Sequence, residues 1–401
     1  MKYDIIIIGA GAAGLMAAHA AVSRGKRVLV LERKTRPGCK LLITGGGKCN
    51  VTHTGDMRSF VEHTVTNGRF LYNVLHAFSN DDLIAFFGRY GVVLAADEDG
   101  RYLPADGDAK DIIDALLSAT GGAAYGYNAR VERIEKIGDG FMVHTDKAYE
   151  CASVIIACGG ASYPATGSSG DGYEFAASFG HDIVKPRAAL AGIRTAESWP
   201  YSCAGVSLSN AGVTLFDGAK RMYRERGDIV FTHDGVSGIP AMNTSSSVHR
   251  CRTPVLSIDV FPDESPAALE ERLMYLCAEQ PKRTIVNMLD ILLPKMLARV
   301  CVLLCDIDGT KRAGELSADE RRRAVVLLKQ MRLTVSGLMP IERATVTGGG
   351  VAVAMIDAHT MMSKKIPGLF FAGEVIDVDA LCGGYNLQIA FSTGYCAGMN
   401  A

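Results

Sequence analysis

The chain has 401 residues, and 48% of them are hydrophobic, so it can bury large cores and form roughly two to three domains. Its 42 basic and 43 acidic side chains give a net charge of −1, which offers no electrostatic case for nucleic acid or a polybasic membrane surface. No apolar run approaches the roughly 20 residues that span a bilayer, and Asp4 before a short apolar run is unlike a signal peptide. We therefore expect a cytoplasmic protein that acts on a small molecule and binds neither nucleic acid nor membrane.

The 11 cysteines follow no disulfide or metal-binding spacing. No C-x-x-C occurs, and Cys301 and Cys305, one helical turn apart in an apolar run, fit two buried small hydrophobes better than a metal pair. We predict reduced thiols and no bound metal.

The first predicted element is a βαβ unit. Residues 5–8 form a short, fully apolar, β-branched run that is typical of a strand buried on both faces. Gly9, Gly11 and Gly14 follow at the spacing G-x-G-x-x-G, which suits a tight turn, close approach to a pyrophosphate and close packing of the next helix. Residues 12–24 are predicted to be that helix, whose N-terminus favours a diphosphate.

A second buried strand at 28–31 ends in Glu32. A carboxylate there accepts hydrogen bonds from an adenosine ribose and repels a 2′-phosphate, so FAD or NAD fits and NADP does not. The alternative is an ordinary βαβ unit with a Gly-rich turn, but strand, glycines, helix, strand and acid coincide here.

The next segment contains three consecutive glycines at 45–47, flanked by Lys48 and Asn50 and preceded by a polar loop with Lys40. We interpret it as a loop along the flavin or its pyrophosphate, with Gly46 supplying backbone amides and Lys48 supplying charge. The alternative is a mobile surface hinge.

Alternating and amphipathic patterns define the middle of the chain. A buried strand at 154–157 ends in small residues and should return the chain beneath the cofactor. The predicted helices are 80–89, 108–117 and 173–179, and the predicted strands are 125–130, 131–137, 141–145 and 153–157.

From about Lys185 the composition changes to short alternating strands, with turns predicted at Asp217-Gly218 and Gly227-Asp228. A helical piece follows, and Ser317 and Glu320 form a capping box for its last helix. The predicted helices are 266–279, 283–289, 294–304 and 317–331.

The C-terminal segment returns to the nucleotide-binding pattern. A turn and an apolar strand end in Gly373-Glu374, and a Gly-rich turn then opens a helix predicted at 387–397. Glu374 can bond a ribityl hydroxyl, and the amides of Asn386 and Leu387 can stabilise charge on the flavin pyrimidine ring. The alternative is a plain core strand and helix.

With both ends interpreted, the chain resembles the FAD-dependent oxidoreductases of the BaiN/YhiN type. The matching motifs span the chain; they are Ile8-Gly-Ala-Gly-Ala-Ala-Gly14, Thr44-Gly-Gly-Gly-Lys-Cys-Asn50, Gly100-Arg-Tyr-Leu-Pro104, Gly159-Gly-Ala-Ser-Tyr-Pro164, Thr166-Gly-Ser-Ser-Gly-Asp-Gly172, Thr232-His-Asp-Gly-Val-Ser-Gly238, Ala372-Gly-Glu-Val-Ile-Asp-Val-Asp379 and Gly383-Gly-Tyr-Asn-Leu-Gln388. The chain departs from the family pattern at Lys48, Leu103, Cys158 and Ile239.

The resemblance implies an α/β fold: a two-dinucleotide-binding, Rossmann-like flavoprotein domain interrupted by a β-barrel-like domain and a nested helical domain. The expected boundaries are 1–187 with 346–401 for FAD binding, 188–262 with 332–345 for the β-rich insert, and 263–331 for the helical insert. The expected FAD-binding residues, from motif and resemblance together, are Gly9, Gly11, Ala13, Gly14, Glu32, Arg33, Lys40, Gly46, Lys48, Asn50, Val131, Gly373, Glu374, Asp377, Asn386 and Leu387.

The family's best-characterised activity implies reduction of C=C bonds conjugated to a ketone in steroid-like, bile-acid-type substrates, an oxidation–reduction of CH–CH groups. The candidates for protonating the substrate or polarising its carbonyl are Tyr163, His233, Tyr385 and Arg101. Each has a structural alternative, such as pairing of Arg101 with Glu98 or Asp99. NAD(P)H is a candidate transient reductant, although no second G-x-G-x-x-G occurs in a strand–helix context.

Two other functions stay open at this point. FAD can be structural in a binding or RNA-modification component. Alternatively, Cys49 or Cys382, both in Gly-rich loops where helix dipoles lower a thiol pKa, can serve a thiol-redox flavoenzyme.

Overall fold

A computed structural model describes residues 2–401, which form two compact units. The first unit contains the residues up to Ala189 together with Ile341–Ala401, and the insert unit is Leu190–Pro340. The strands are β1 (Lys2–Ile8), β2 (Val28–Leu31), β3 (Thr52–His53), β4 (Thr64–Thr66), β5 (Leu94–Ala96), β6 (Arg101–Pro104), β7 (Ala124–Gly126), β8 (Arg133–Ile137), β9 (Gly140–His144), β10 (Ala148–Ile156), β11 (Ile183–Ala189), β12 (Ile193–Thr195), β13 (Ser207–Asp217), β14 (Lys220–Thr232), β15 (Gly235–Ser237), β16 (Pro254–Asp259), β17 (Met331–Leu338), β18 (Val346–Val351), β19 (Leu369–Phe371) and β20 (Asp379–Ala380). The helices are α1 (Ala12–Ser23), α2 (Met57–Glu62), α3 (Tyr72–Ala77), α4 (Asn80–Arg89), α5 (Ala109–Ala119), α6 (Asp171–Ser178), α7 (Trp199–Ser202), α8 (Ile239–Val248), α9 (Pro266–Glu279), α10 (Ile285–Leu289), α11 (Lys295–Leu304), α12 (Ala318–Lys329) and α13 (Tyr385–Asn400).

The first unit is built on a mostly parallel sheet in the order β7-β2-β1-β10. The second half of β10 pairs in parallel with β19, while its first half pairs with the antiparallel hairpin β8–β9. The side chains of residues 5–8 are at most 5% exposed, as expected of a strand covered on both faces. Segments from both ends of the chain therefore share one sheet, as the fold prediction required.

Several predicted elements of this unit are confirmed. Helix α4 has the predicted bounds, and Ser79 caps it by forming a capping box with Asp82. Helix α13 begins at Tyr385, two residues earlier than predicted, because Gly384 with a φ of 98° opens it. No helix within residues 2–401 is long and apolar enough to span a bilayer.

The insert unit is a closed antiparallel barrel in the order β12-β15-β14-β13-β16-β17. Helices α9–α12 share one hydrophobic core with the barrel, through residues such as Leu273 and Leu297 on the helices and Leu256 and Leu333 on the strands. Ser317 and Glu320 form the predicted capping box of α12. The division of this segment into separate barrel and helical domains stays a prediction.

In the insert, one predicted turn is wrong and one helix was not predicted. Gly227-Asp228 is no turn but lies inside the long strand β14, where Gly227 faces Ala211 at an irregularity in the pairing with β13. Gly227 has a φ of 152°, which suits the irregularity in the strand pairing. Glycine is common both in turns and at such irregularities, so the sequence pattern did not distinguish the two. Helix α8 was not predicted because its second half is rich in Asn, Thr and Ser, which have low helix propensity.

Candidate cofactor site

The turn between β1 and α1 has the geometry that the G-x-G-x-x-G spacing predicts. Gly9 has a φ of 103°, and a Cβ at Gly14 would lie 1.9 Å from the Gly9 carbonyl oxygen. A Cβ at Gly11 would meet no described atom within 4 Å, so this glycine borders open space at the start of α1. The helix N-terminus and the space beside it fit a pyrophosphate.

Glu32 lies at the end of β2 and is 9% exposed. Its carboxylate accepts hydrogen bonds from the backbone amides of Ala10 (2.9 Å) and Lys34 (2.8 Å). Two amides occupy only part of the four lone-pair positions of a carboxylate, so hydroxyl donors can still bind. The Ala129 amide donates to the Glu32 carbonyl at 2.9 Å, which holds the segment leading to buried Val131 beside β2.

Arg33 is held by the N-terminal region of α6. Its guanidinium donates to Ser169 and forms an ion pair with Asp171 at 3.3 Å, and Arg130 reaches the same carboxylate at 3.2 Å. Arg33 therefore shares a partner with Arg130, the residue that precedes Val131. The resemblance implied that Arg33 and Val131 both bind FAD, and this arrangement is consistent with that expectation. No sequence pattern predicted Asp171 as the common partner of the two arginines.

Helices α1 and α13 pack against each other with their backbones nearly in contact. A Cβ at Gly394 would lie 2.3 Å from the Ala13 carbonyl oxygen, and a Cβ at Gly398 would lie 2.2 Å from that of Ala17. Both pairs advance by one turn in the same direction, so the helices run parallel. Gly394 lies nine residues after the start of α13, whereas Ala13 lies one residue after the start of α1. Helix α13 therefore begins about eight residues, or roughly 12 Å, before α1.

This stagger gives the unit two helix N-termini that point the same way at different depths. Both helices start at a glycine, Gly11 and Gly384, without a side-chain cap. The first-turn amides of an α-helix have no partner within the helix and carry partial positive charge. An elongated ligand with an electron-rich group at each end fits this arrangement.

Glu374 connects the two ends of the chain beside α1. The turn that carries it touches α1, since a Cβ at Gly373 would lie 2.8 Å from the Ala13 Cβ. Its carboxylate pairs with Lys40 Nζ at 2.6 Å and accepts from the Thr347 amide at 2.7 Å and the Ser162 hydroxyl at 3.0 Å. Burial would raise the pKa of Glu374, but the charge and hydrogen bond of Lys40 together with the Thr347 bonds outweigh it and lower this pKa.

A second polar group lies further along the same segment. Asp379 is fully buried and pairs with Arg187 at 3.0 Å, and Asp377 accepts from Asn67 at 3.0 Å. Burial raises the pKa of Asp377. Among residues 2–401, four buried polar atoms near these groups lack any hydrogen-bond partner; they are Asp377 Oδ1, Asp379 Oδ2, Arg187 Nε and Tyr173 Oη.

Buried polar atoms without partners are costly, and each needs a ligand or water to bond. The hydroxyl and ring N–H groups of a flavin nucleotide are suitable donors for the carboxylate oxygens. The side chain of Asn386, at the start of α13, has a structural role, and the predicted role of its backbone amide stays a prediction. Its amide bonds the backbone of Ala380 at 3.0 and 2.8 Å, which fixes the helix start and leaves the backbone amides as the binding groups.

The glycine-rich segment forms two tight helical turns, Leu41–Gly47, rather than an open loop. Gly45 and Gly46 have left-handed backbone angles with φ of 56° and 65°. The Asn50 side chain lies beside Gly45, and the Lys48 amide donates to the Gly45 carbonyl at 3.3 Å. A Cβ at Gly46 would meet nothing described within 4 Å, so its backbone is open to a ligand.

Cys49 ends this segment and does not match the thiol-redox interpretation. It is fully buried, and burial raises the pKa of its thiol to about 11, opposite to the lowering expected from a helix dipole. None of the 11 cysteines, all of which lie within residues 2–401, forms a disulfide.

Two of the proposed catalytic residues lie on either side of His53. Arg101 is the cross-strand partner of His53 in the β3–β6 pair, and the Tyr385 ring stacks on His53 and on His63 with centroid distances of 4.6 Å. Arg101 is held by Asp97 and Asp99, each at 2.8 Å. Tyr385 is 3% exposed, and burial raises its pKa to about 12.

The other two proposed catalytic residues lie elsewhere. Tyr163 has a left-handed φ of 52° at the start of a short turn in the first unit. His233 is exposed in the turn between β14 and β15 of the insert unit. Sequence reasoning missed Ser162, Thr347, Arg187, Asp379, His53 and His63, because their partners lie far away along the chain.

Comparison with known proteins identifies the family. The sequence profile of the HI0933-like protein Rossmann domain matches residues 3–400. The chain belongs to this family. It is 31% identical to the ribosomal RNA dihydrouridine synthase of Escherichia coli K12, covering 99% of this chain and 97% of the relative. It is 30% identical to the 3-dehydro-bile acid delta(4,6)-reductase of Clostridium scindens, covering 98% of each.

Solved structures show the same fold. The open conformation of a flavocytochrome c3 fumarate reductase aligns over the whole chain and 78% of its own length, with a TM-score of 0.54 and 16% identity. A 3-ketosteroid-delta4-(5alpha)-dehydrogenase from Rhodococcus jostii RHA1 aligns over the whole chain and 96% of its own length, with a TM-score of 0.53 and 15% identity. As a member of the HI0933-like family, the protein is an FAD-dependent oxidoreductase, which confirms the predicted resemblance.

FAD fits the first unit residue by residue. The open space at Gly11 and the start of α1 suit the pyrophosphate, and Glu32 suits the adenosine ribose. Glu374 and the unpartnered oxygens of Asp377 and Asp379 suit hydroxyl donors on the redox half.

Proposed function

We propose that this protein transfers hydride from reduced FAD to a carbon–carbon double bond conjugated to a carbonyl group. The proposal is carried by the bond that its relatives share. A dihydrouridine synthase saturates the C5=C6 bond of uracil, which is conjugated to the C4 carbonyl, and a delta(4,6)-reductase of a 3-dehydro steroid saturates a C=C system conjugated to a 3-ketone. The chain is equally similar to both relatives, with sequence identities of 31% and 30%, so similarity does not favour uracil over a steroid as the substrate. The conjugated C=C–C=O unit that both substrates contain is therefore the best-supported substrate feature.

Bound and reduced, FAD supplies the hydride. The chain's own residues divide the remaining work. The first-turn amides of α1 and the Glu32 carboxylate hold the adenylate half, while Glu374, fixed by Lys40, orients the redox half. The start of α13 presents positive amide dipoles that favour electron-rich ring atoms.

Saturation of the double bond also requires a proton on the carbon next to the carbonyl, while hydride adds to the far carbon. Arg101 can polarise the carbonyl oxygen, because its guanidinium stays charged while Asp97 and Asp99 fix its orientation. Tyr385, Tyr163 and His233 remain the proposed proton donors.

The test uses purified protein reduced anaerobically by photoreduction. We expect a yellow protein whose reduced flavin is reoxidised by 2-cyclohexenone, by a 4-en-3-one steroid or by a uridine-containing ribosomal RNA fragment, with the product gaining two hydrogens. Cyclohexanone, which lacks the double bond, is the matched control. Separate additions of NADH and NADPH test the proposed reductant. A flavin that no conjugated C=C reoxidises would refute the proposal.

A further inference from the structure

The outer face of the β13–β14 hairpin carries a row of basic side chains. Leu215 pairs with Tyr223, but the next pair is Phe216 with Arg221, so one extra residue lies on β14. This irregularity places Arg221 on the same face as Phe216, and Arg224 and Arg226 face Thr214 and Gly212 on that same side. Lys220, the first residue of β14, lies outside this register because it pairs with Asp217 at the tip of the hairpin.

The acids near this row are already bonded. Glu225 lies on the opposite face of β14, where it accepts from the Tyr223 hydroxyl at 2.8 Å and the Asn243 amide at 2.9 Å. Asp217 accepts from the Arg252 and Thr253 amides at 3.0 and 2.8 Å.

Asp263 neutralises only one member of the row, Arg226, at 2.6 Å. Lys220, Arg221 and Arg224 are exposed, and none of them forms an ion pair within residues 2–401, although Lys220 lies opposite Asp217 in the hairpin. Arg221 and Arg224 therefore give this face of the hairpin uncompensated positive charge, to which Lys220 adds a further positive charge at the tip.

We propose that this hairpin face binds the phosphodiester backbone of a single-stranded RNA. The inference rests on the proposed function and extends it to a polynucleotide carrying the uracil. Alternate positions on a strand lie about 7 Å apart, which is comparable to the spacing of neighbouring phosphates along a single strand. Arginine side chains match phosphate oxygens in a two-pronged geometry, and Phe216 beside Arg221 offers a ring for base stacking.

The experiment compares two triple charge reversals in the FAD-loaded, full-length protein. The test variant is Lys220→Glu/Arg221→Glu/Arg224→Glu. The matched control is Lys282→Glu/Lys295→Glu/Arg299→Glu, which makes the same charge change at exposed positions of the helical part of the insert unit. The probe is fluorescein-labelled oligouridylate, with binding measured by anisotropy between 50 and 200 mM salt, a range chosen at roughly physiological strength and below.

We expect the test variant to lose at least about tenfold in affinity and to lower the slope of log K against log salt by about 2, at roughly 0.7 per phosphate contact. The control should stay within about twofold of the wild-type protein. Equal losses in both variants, or no binding of oligouridylate by the wild-type protein, would overturn the inference. The inference would also be overturned if the test variant lost binding to phosphatidylserine vesicles but bound oligouridylate as well as the wild-type protein does.

Reoxidation of the reduced flavin by 2-cyclohexenone separates this inference from the proposed function. Both variants should retain it, since no substituted residue belongs to the cofactor site. If 2-cyclohexenone reoxidised the flavin but the protein bound no RNA, the proposed reaction would be supported and the RNA-binding inference would be refuted. If the protein bound RNA through the hairpin but reduced no conjugated C=C bond, the RNA-binding inference would be supported and the proposed reaction would be refuted.

Discussion

Gly394→Ala tests whether the close contact of α13 with α1 creates the cofactor site. The new methyl group would lie 2.3 Å from the Ala13 carbonyl oxygen and 3.0 Å from two further backbone atoms of Ala13. Backbone atoms cannot swing away as a side-chain end does, so the helices must separate. Overpacking of this kind costs about 1–3 kcal/mol, and the shift also moves the start of α13 relative to that of α1.

The assay combines thermal unfolding with FAD binding. For a unit of this size, each kcal/mol lowers Tm by about 2–4 °C, so we expect a fall of several degrees. FAD affinity, measured by the recovery of flavin fluorescence on release, should weaken about tenfold for every 1.4 kcal/mol lost from the bound state.

The matched control is Gly88→Ala in α4. The chemical change is the same, but a Cβ at Gly88 meets nothing described within 4 Å, and the residue lies inside a helix. This substitution should raise stability by up to about 1 kcal/mol and leave FAD binding unchanged. If Gly394→Ala were as stable as the wild-type protein and bound FAD equally well, the proposed role of the helix contact would be wrong.

Three further predictions concern single groups of the first unit. Lys40→Met removes the partner of Glu374, whose side chain is 20% exposed, so we expect a loss below the roughly 3–5 kcal/mol of a fully buried pair, and the double variant with Glu374→Gln should recover part of this loss in chemical unfolding. The pKa of Glu374 in the folded protein lies below its ordinary value of 4.5. The stabilisation that the Glu374 carboxylate provides is therefore present above pH 4.5 and disappears as the pH falls through the lower folded value. In Lys40→Met, the free energy of unfolding should depend less steeply on pH in this acid range. Glu32→Ala removes the carboxylate that suits the adenosine ribose and should weaken FAD binding by about 1.5–3 kcal/mol, the range for hydrogen bonds to charged groups, while riboflavin, which lacks the adenosine, should bind unchanged in fluorescence titrations. Cys49, with a pKa of about 11, should resist iodoacetamide at pH 8 in the folded protein and react only after unfolding. The Cys49→Ala variant should retain flavin reoxidation by 2-cyclohexenone. Rapid labelling of Cys49 in the folded protein, detected by mass spectrometry, would contradict its burial.

Local patterns predicted the elements that depend on neighbouring residues. The roles of Gly9, Gly11 and Gly14 follow from their spacing between a strand and a helix, and the structure shows the turn, the open space and the close packing that each role requires. The capping box of Ser317 and Glu320 is visible in the sequence for the same reason, because its two members lie within one helical turn.

Pairs that lie far apart along the chain could not be predicted in this way. Arg187 and Asp379 are 192 positions apart, and Lys40 and Glu374 are 334 apart. Lys40 and Glu374 were each expected at the cofactor, but nothing in the sequence indicated that they pair with each other. The tertiary fold makes these residues neighbours, and a single sequence without tertiary contacts contains no signal for that pairing.

The two staggered helix starts also decide between the dinucleotides that the first motif left open. NAD and FAD share an adenylate and a pyrophosphate, so Glu32 and the start of α1 suit both. The second helix start distinguishes them, because the oxidised nicotinamide ring is cationic and the positive end of α13 would repel it. A flavin instead becomes electron-rich at its pyrimidine ring on reduction, so the same helix end stabilises it. The positive end of α13 therefore favours FAD over NAD through charge.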